Sequence, residues 1–594
     1  MLAKNSSKSF KISEKWIIPL KISIICFSGI YLIGNFIPFY EGADAYLYGI
    51  LAVNFSDGIY SISNTFLDET GKSQFMGTNW LKTIHGDAVP RSGITLGYIA
   101  SIFYSAFGYY ALFYFSPIIA ILLFIVSERI ATKLFGSVCG LLTLLFVTTN
   151  HLIFRNSLNL QTEALFSLLS LIGVYCFITF FKSKVDTKLL FASVFFVFAS
   201  FIRINGLAFL PIEIGIIMFV FIFKHIRPNF KKNCTLSTQK FYRISIKRGT
   251  KLAFFIILPW MVFFVFWISY YDYYFDEQTI NYRQVTATAN EFAYNPETHT
   301  DAKFASLFLF EDKTLENTKG FSKYILPYQI PAVHNKLDNN FDNILGNDWI
   351  GIIAIAGLGI FSIWSIYNRN KRIEFLTFIG LISVTVWFFS AVTTSERAAY
   401  GYPGRYMIGS FILFVMMISF FIVRFLKIKV DNKKKYLRVS IKITKIFLIF
   451  GLFVFFILAY YNANPVQAIL NEEEFVKNPE DFVERYPLDL EGLSSNSVII
   501  AHNGDWVIEY GLTPFFPLYK GEVSLDSVNL LKEVINDGND VYIFKTPTTN
   551  SEKDTIRNLV NNHGFIVSDF SKSFCSVEIK NNTSNKTSDY SCLN

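Results

Sequence analysis

The sequence predicts an α-helical protein that crosses a membrane about eleven times, within a range of roughly 10 to 13 crossings, and that carries a small α/β domain outside the membrane. Three observations predict this class: the composition, a series of apolar segments of spanning length, and loops of alternating charge. Of the 594 residues, 52% are apolar, 18% are aromatic and 17% are charged, whereas a soluble chain carries about 25% charged residues. This composition excludes a soluble cytosolic enzyme, and it argues against a nucleic-acid partner although the net charge is +8.

The predicted spans come from hydropathy, because a helix needs about 20 mostly apolar residues to cross a bilayer. Such segments run over residues 16–36, 93–107, 109–127, 137–153, 159–181, 188–203, 206–223, 251–271, 349–367, 374–394, 406–426 and 444–462. The shortest segment is 93–107, which we expect to re-enter the membrane or to merge with 109–127 across Gly108. That exception leaves about eleven crossings.

Loop charge predicts the orientation, since cytoplasmic loops carry an excess of Lys and Arg. The loop 224–251 holds nine basic residues and no acid. The segments expected in the cytoplasm for this reason are 1–15, 224–251, 369–372 and 424–445. The loop 272–348 is the opposite case, with twelve acids against six bases. The loops expected outside are 37–92, 272–348 and 395–405.

The predicted domains are a cytoplasmic tail (1–15), a membrane domain (16–465) and an external C-terminal domain (466–594). The external domain alternates short apolar runs, expected to be strands, with two helices at 524–538 and 551–564, which is typical of an α/β domain with a mainly parallel sheet. Cys575 and Cys592 lie in this region and can form a disulfide if it is exported. The protein is thus expected to be an integral multi-pass protein of the cell membrane, with the N-terminus inside and the C-terminus outside.

The first outer loop carries the candidate catalytic carboxylates, Glu41 and Asp44, directly after the first span. A carboxylate at the edge of the hydrocarbon can act as a general base toward a lipid-linked substrate; a solvated loop acid is the alternative. The far end of the loop holds His85, Asp87 and Arg91. Asp44, His85 and Asp87 are candidate ligands for a divalent metal such as Mg or Mn, although a His–x–Asp pair is also typical of a turn. No other cofactor is indicated.

Other charged residues lie at the predicted outer ends of later spans. Arg155 and Glu163 flank the start of the segment 159–181. Arg203 lies between two closely spaced apolar segments, where a cation usually has an anionic partner or ligand; snorkelling to the interface is the alternative. Arg405 and Tyr406 end the loop 395–405, and a guanidinium group can bind phosphate with two parallel hydrogen bonds.

In their order along the chain, these motifs resemble the GT-C glycosyltransferases that use polyprenyl-phosphate sugars, such as the protein O-mannosyltransferases and the lipid A aminoarabinose transferases. The resemblance covers about residues 16–430 and rests on Asp44 with Glu41, Pro90, Glu163, Arg203 with Gly206 and Leu210-Pro211, and Arg405-Tyr406. The chain departs from the family at Glu41-Gly-Ala-Asp44, where the mannosyltransferases have adjacent Asp-Glu, and at Pro90-Arg91, where Pro-Pro is usual. The Trp-Trp-Asp-Tyr-Gly signature of the oligosaccharyltransferases is absent from the sequence.

The resemblance implies an enzyme that moves a hexose or pentose from a polyprenyl-phosphate carrier to a hydroxyl of a protein, lipid or glycan acceptor, outside the membrane and with inversion. It implies Asp44 as the base, with Glu41 beside it. The residues implied to bind phosphate or sugar are Arg203, Arg405, Tyr406, Arg91, Glu163 and Arg155. The alternative function is a transporter or flippase for a polar or lipid-linked solute, which would place ionisable residues near mid-span and show repeated halves.

Overall fold

The computed structural model describes residues 14–34, 43–56, 58, 80–82, 88–90, 94–221, 238–276, 278, 371–392, 408–427 and 435–462, apart from positions 109, 159 and 184, and separate stretches between 493 and 579. The chain divides into two compact units. The first consists of Met1–Phe36, Phe113–Val265 and Ala302–Glu472. The second consists of Ile37–Leu112, Phe266–Asp301 and Glu473–Asn594.

The first unit is a bundle of helices. The described helices of this unit are α1 (Glu14–Gly34), α4 (Tyr110–Phe135), α5 (Ser137–Thr148), α6 (His151–Leu158), α7 (Thr162–Ser183), α8 (Thr187–Ile202), α9 (Phe209–Phe221), α10 (Thr238–Phe275), α11 (Arg372–Val392), α12 (Ile408–Leu426) and α13 (Lys435–Asn462). The first residues of α4 and the last residues of α10 belong to the second unit. A 3-10 turn, Ile204–Ala208, joins α8 to α9.

Several helices are long and apolar enough to cross a bilayer, as a membrane protein requires. Within the described residues five meet this criterion: Trp16–Gly34, Ala111–Phe135, Thr162–Ser183, Gly249–Phe275 and Ile408–Leu426. Shorter apolar helices lie at Ile94–Phe107, Ser137–Thr148, Thr187–Ile202 and Gly206–Met218. The chain is therefore a helical membrane protein, and the number of about eleven crossings stays a prediction.

Helices α7 and α8 pack closely against each other. A side chain at Gly173 on α7 would come within 2.7 Å of the Phe196 ring on α8, so the glycine lets the two helices approach. Phe196 in turn stacks on Phe209 of α9, with 4.4 Å between ring centroids. Small residues at such contacts are typical of membrane bundles, where packing rather than the hydrophobic effect holds helices together.

A buried polar cluster joins α1 to α4 and α5. The Lys21 ammonium donates to Glu128 Oε1 (2.5 Å), Thr132 Oγ1 (2.9 Å) and Ser137 Oγ (3.0 Å). Lys21 is 7% exposed and Glu128 is 5% exposed. A side chain at Gly140 would lie only 2.0 Å from Thr132 Oγ1, so the cluster also depends on that glycine. Directional bonds of this kind fix the register of α1, which otherwise shows many large apolar side chains on its surface.

The second unit contains α2 (Ala43–Ser56) and α3 (Ile94–Phe107), with the antiparallel pair β1 (Trp80–Lys82) and β2 (Ala88–Pro90) between them in sequence. The buried face of α2 includes Tyr48, Leu51, Ala52 and Phe55. A side chain at Gly97 of α3 would lie 2.6 Å from Leu51 Cβ, so α2 and α3 pack closely there.

The expectation that 93–107 merges with the following helix is wrong. The helix α3 ends before Gly108, which has φ +78, and α4 begins at Tyr110. This left-handed conformation is adopted readily by glycine and ends the helix. Re-entry of α3 into the membrane stays a prediction.

The C-terminal region contains a five-stranded sheet of β3 (Val498–Ile500), β4 (Thr513–Phe515), β7 (Val541–Phe544), β8 (Phe565–Asp569) and β9 (Phe574–Ile579), in the order β4-β3-β7-β9-β8. A further antiparallel pair is formed by β5 (Leu518–Tyr519) and β6 (Glu522–Val523). Helix α14 (Leu525–Asn536) is followed by Gly538 with φ +85, close to the predicted helix end.

The expectation of a mainly parallel sheet is wrong. β3 is parallel to β4 and to β7, but β9 is antiparallel to both β7 and β8. The sheet is therefore mixed. Cys575 lies in β9 with no exposed surface and is disulfide-bonded; its partner lies outside the described residues, so the pairing with Cys592 stays a prediction.

Candidate functional site

The structure brings together two of the predicted site residues, Glu163 and Arg203. Arg203 Nη1 donates to Glu163 Oε1 at 2.5 Å. The Glu163 side chain is 1% exposed and the Arg203 side chain is 17% exposed. The anionic partner expected for Arg203 is thus a residue of the chain itself, and the arginine side chain keeps some exposure.

Arg203 is at the tip of a tight helical hairpin. It caps α8 with an extended backbone, and its N–H donates to the Ala199 carbonyl. The 3-10 turn then folds back on α8 so closely that a side chain at Gly206 would lie 2.5 Å from Ser200 Oγ. A residue with a side chain would therefore clash with Ser200 at this position, which explains the glycine three residues after Arg203.

Several residues close to Glu163 in the sequence have buried polar side chains. They belong to the end of α5, to α6 and to the start of α7, and most of them are fully buried. They are Thr148, Thr149, Asn150, Asn156, Ser157, Gln161 and Thr162. Such a concentration is unusual inside a membrane bundle, where polar groups are expensive and mark functional regions.

A small apolar crevice of about 20 Å³ lies among α7, α9, α11 and α12. Its lining includes Phe166, three residues after Glu163, and Phe209, six residues after Arg203. Gly409 and Ser410 of α12 also line it, and they follow Arg405 and Tyr406 closely in the sequence. The complete lining is Phe166, Ser170, Leu171, Val174, Phe209, Leu381, Gly409, Ser410 and Leu413.

The remaining predicted site residues are only partly described. Asp44 is the second residue of α2, and Arg155 is on α6, but their side chains lie outside the described part. Glu41, His85, Asp87, Arg91, Arg405 and Tyr406 lie wholly outside it. The convergence of Asp44, Arg203 and Arg405 therefore stays a prediction.

The metal question concerns the same undescribed residues. Among the residues that the structure describes, no group of three or more His, Cys, Asp or Glu side chains could hold a metal ion. The candidates Asp44, His85 and Asp87 have no described side chains, so a divalent metal stays a prediction and no reaction step is assigned to it.

Two buried polar clusters escaped sequence reasoning. Glu213 on α9 is 0% exposed and accepts hydrogen bonds from Ser193 Oγ at 2.8 Å and from Trp260 Nε1 at 3.0 Å. The other is the Lys21–Glu128 pair. Lys21 and Glu213 are single charged residues within apolar runs, and that signal was available in the sequence.

The sequence matches no known family profile and no curated protein. The solved structures that it resembles are membrane glycosyltransferases, so the chain has the fold of the GT-C glycosyltransferases, as the resemblance of its motifs led us to expect.

Three solved structures illustrate the likeness. The oligosaccharyltransferase of Archaeoglobus fulgidus in complex with Zn and sulfate gives a TM-score of 0.52 at 12% identity, over 94% of this chain and 72% of that chain. ArnT of Cupriavidus metallidurans bound to undecaprenyl phosphate gives 0.50 at 11% identity, over 95% and 98%. The archaeal oligosaccharyltransferase AglB from Archaeoglobus fulgidus, with an inhibitory peptide and a dolichol-phosphate, gives 0.50 at 11% identity, over 95% and 74%.

Proposed function

We propose that the protein transfers a single sugar from a polyprenyl-phosphate carrier to an acceptor hydroxyl on the outer face of the membrane. The observation behind this proposal is the Glu163–Arg203 ion pair, at 2.5 Å, together with an apolar crevice that is lined by Phe166, three residues after Glu163. A cation next to an apolar surface matches a ligand that joins a phosphate to a hydrocarbon chain. The GT-C fold supports the same class of reaction.

In the proposed reaction, Asp44 removes the proton of the acceptor hydroxyl. The acceptor oxygen attacks C1 of the sugar, and the bond between C1 and the phosphate oxygen breaks. The electron pair of that bond leaves with the polyprenyl phosphate, whose negative charge is stabilised by Arg203 and Arg405. A single displacement of this kind inverts the configuration at C1. Glu163 holds the Arg203 guanidinium in place, and Tyr406, Arg91 and Arg155 are proposed to contact sugar or phosphate.

Lipid analysis of a deletion strain tests the proposed function. A transferase should leave its donor unused, so a polyprenyl-phosphate sugar should accumulate while one glycoconjugate loses that sugar. Complementation with wild-type protein should reverse both changes, and complementation with Asp44→Asn should not. Unchanged lipids and glycoconjugates in the deletion strain would contradict the proposal.

The crevice is proposed to receive the first part of the polyprenyl chain, which gives a prediction for Gly409. A leucine at this position would occupy the space that the polyprenyl chain is proposed to fill. We expect Gly409→Leu to weaken binding of undecaprenyl phosphate about tenfold. The matched control is Gly409→Ala, because a Cβ there would lie at an ordinary 3.6 Å from Ser167 Oγ. Equal affinity of a folded Gly409→Leu protein would show that the chain binds elsewhere.

The proposed orientation can be tested independently of activity. With the N-terminus inside and residues 466–594 outside, a cysteine introduced at Asn550 should react with a membrane-impermeant maleimide in intact cells. A cysteine introduced at Asn432, between α12 and α13 in the basic segment 424–445, should react only after the cells are opened. The reverse pattern would invert the topology and place the proposed chemistry on the other face.

A further inference from the structure

Glu213 differs from the other buried carboxylates of the helical bundle. Glu128, Glu163 and Glu374 each form a salt bridge with a lysine or arginine. Glu213 forms none among the described residues, and its two oxygens instead accept one hydrogen bond each from Ser193 and Trp260. A buried acid that lacks a cation is costly in an apolar helix and therefore calls for a functional reason.

The two donors lie on different helices, so the carboxyl group joins three of them. Ser193 belongs to α8, Glu213 to α9 and Trp260 to α10. Ser193 is 0% exposed and Trp260 is 2% exposed. Neither donor can therefore turn to water if the carboxyl group is removed.

The three-helix contact lies part-way along the hairpin that carries Arg203, since Ser193 and Glu213 are each ten positions from the arginine. Along the two arms, Ser193 bonds to Glu213, Phe196 stacks on Phe209, and Ser200 lies against Gly206. Arg203 follows at the tip. The hydrogen bonds to Glu213 are directional and therefore set one register of the two arms.

We infer that Glu213 is a positioning residue for Arg203. By joining both arms of the hairpin to α10, it fixes where the arginine meets Glu163 and, if the proposed function holds, the donor phosphate. The inference rests on the proposed function only for the identity of that ligand.

Binding of undecaprenyl phosphate to the purified protein in nanodiscs gives the first test. Glu213→Leu should weaken binding about tenfold, since it removes the acceptor of the Trp260 N–H group and the hydrogen bonds that join both arms of the hairpin to α10. In Glu213→Gln the carbonyl oxygen can accept from Trp260 and the NH2 group can donate to the Ser193 hydroxyl, so this variant should bind within about twofold of wild type. Trp260→Phe keeps an aromatic ring, although a smaller one, and removes the N–H group; its affinity should fall between those of the two Glu213 variants. Equal affinity in Glu213→Leu and Glu213→Gln would overturn the inference.

A double-mutant cycle on thermal stability gives a second test that does not need the lipid. If Glu213 positions Arg203, the Arg203–Glu163 pair should contribute less in the Glu213→Leu background, so the melting-temperature shifts of Glu213→Leu and Arg203→Ala should not add. Trp260→Phe replaces Glu213→Leu in the cycle if the leucine variant does not fold. Additive shifts would overturn the inference. If the shifts are non-additive but the wild-type protein does not bind undecaprenyl phosphate, the positioning role is upheld and the proposed ligand is refuted.

Discussion

Asp44→Asn is expected to lower the rate of sugar transfer by about 10²–10⁴-fold, the contribution typical of a general base. The amide keeps the shape of the side chain but cannot accept the proton of the acceptor hydroxyl. The fold should persist, because Asp44 is in the first turn of α2, whereas α2 is held by its buried face against Gly97. Transfer assays with purified protein, together with a melting curve, measure both effects.

Glu41→Gln is the matched control for this experiment. It removes a charge three residues away from Asp44. The rate of sugar transfer should fall less than in Asp44→Asn if Glu41 only orients Asp44 or a metal. A larger loss in Glu41→Gln would reassign the base to Glu41. A correctly inserted Asp44→Asn protein with the wild-type rate would leave the fold intact and refute the mechanism.

Arg203→Ala is expected to have two separable effects. Loss of charge-assisted hydrogen bonds to phosphate should raise KM for the donor about 10- to 100-fold, which corresponds to about 1.5–3 kcal/mol. Glu163, at 1% exposure, would also become a buried carboxylate without this cation, and breaking a buried pair costs about 3–5 kcal/mol of stability. Enzyme kinetics and thermal unfolding measure the two effects separately.

The double variant Arg203→Ala/Glu163→Gln separates binding from stability. Removing the negative charge should restore much of the stability while donor use stays impaired. Arg405→Ala should impair donor use too, and Arg405→Lys should recover it only partly, because an ammonium cannot make the forked contact. Wild-type donor KM in both alanine variants would remove these arginines from the site.

Sequence reasoning predicted the helices best where a local pattern determines them. The run Thr162–Ser183 is apolar throughout, and α14 ends near the Gly538 signal. The sequence also contains a signal for the antiparallel direction of β9 relative to β8. Residues 570–573 separate β8 from β9, and a link this short cannot make the crossover that parallel strands need.

The site was predicted as separate residues rather than as an arrangement. Glu163 and Arg203 were each singled out, but they lie 40 positions apart, and no local spacing reveals their contact. Glu213 bonds to residues 20 and 47 positions away. Such contacts depend on which helices become neighbours, and hydropathy does not encode that choice because all the spans are similarly apolar.

The Lys21–Glu128 pair has a consequence for biosynthesis. The two residues are 107 positions apart, so the ribosome delivers Lys21 to the membrane about 5–20 seconds before Glu128 exists, at a usual rate of about 5–20 residues per second. During this interval the lysine has to reach the headgroups by snorkelling or remain in the insertion machinery. Helix α1 can therefore reach its final position in the bundle only after α4 is inserted. A substitution of Glu128 should first impair assembly and increase degradation of the newly made chain.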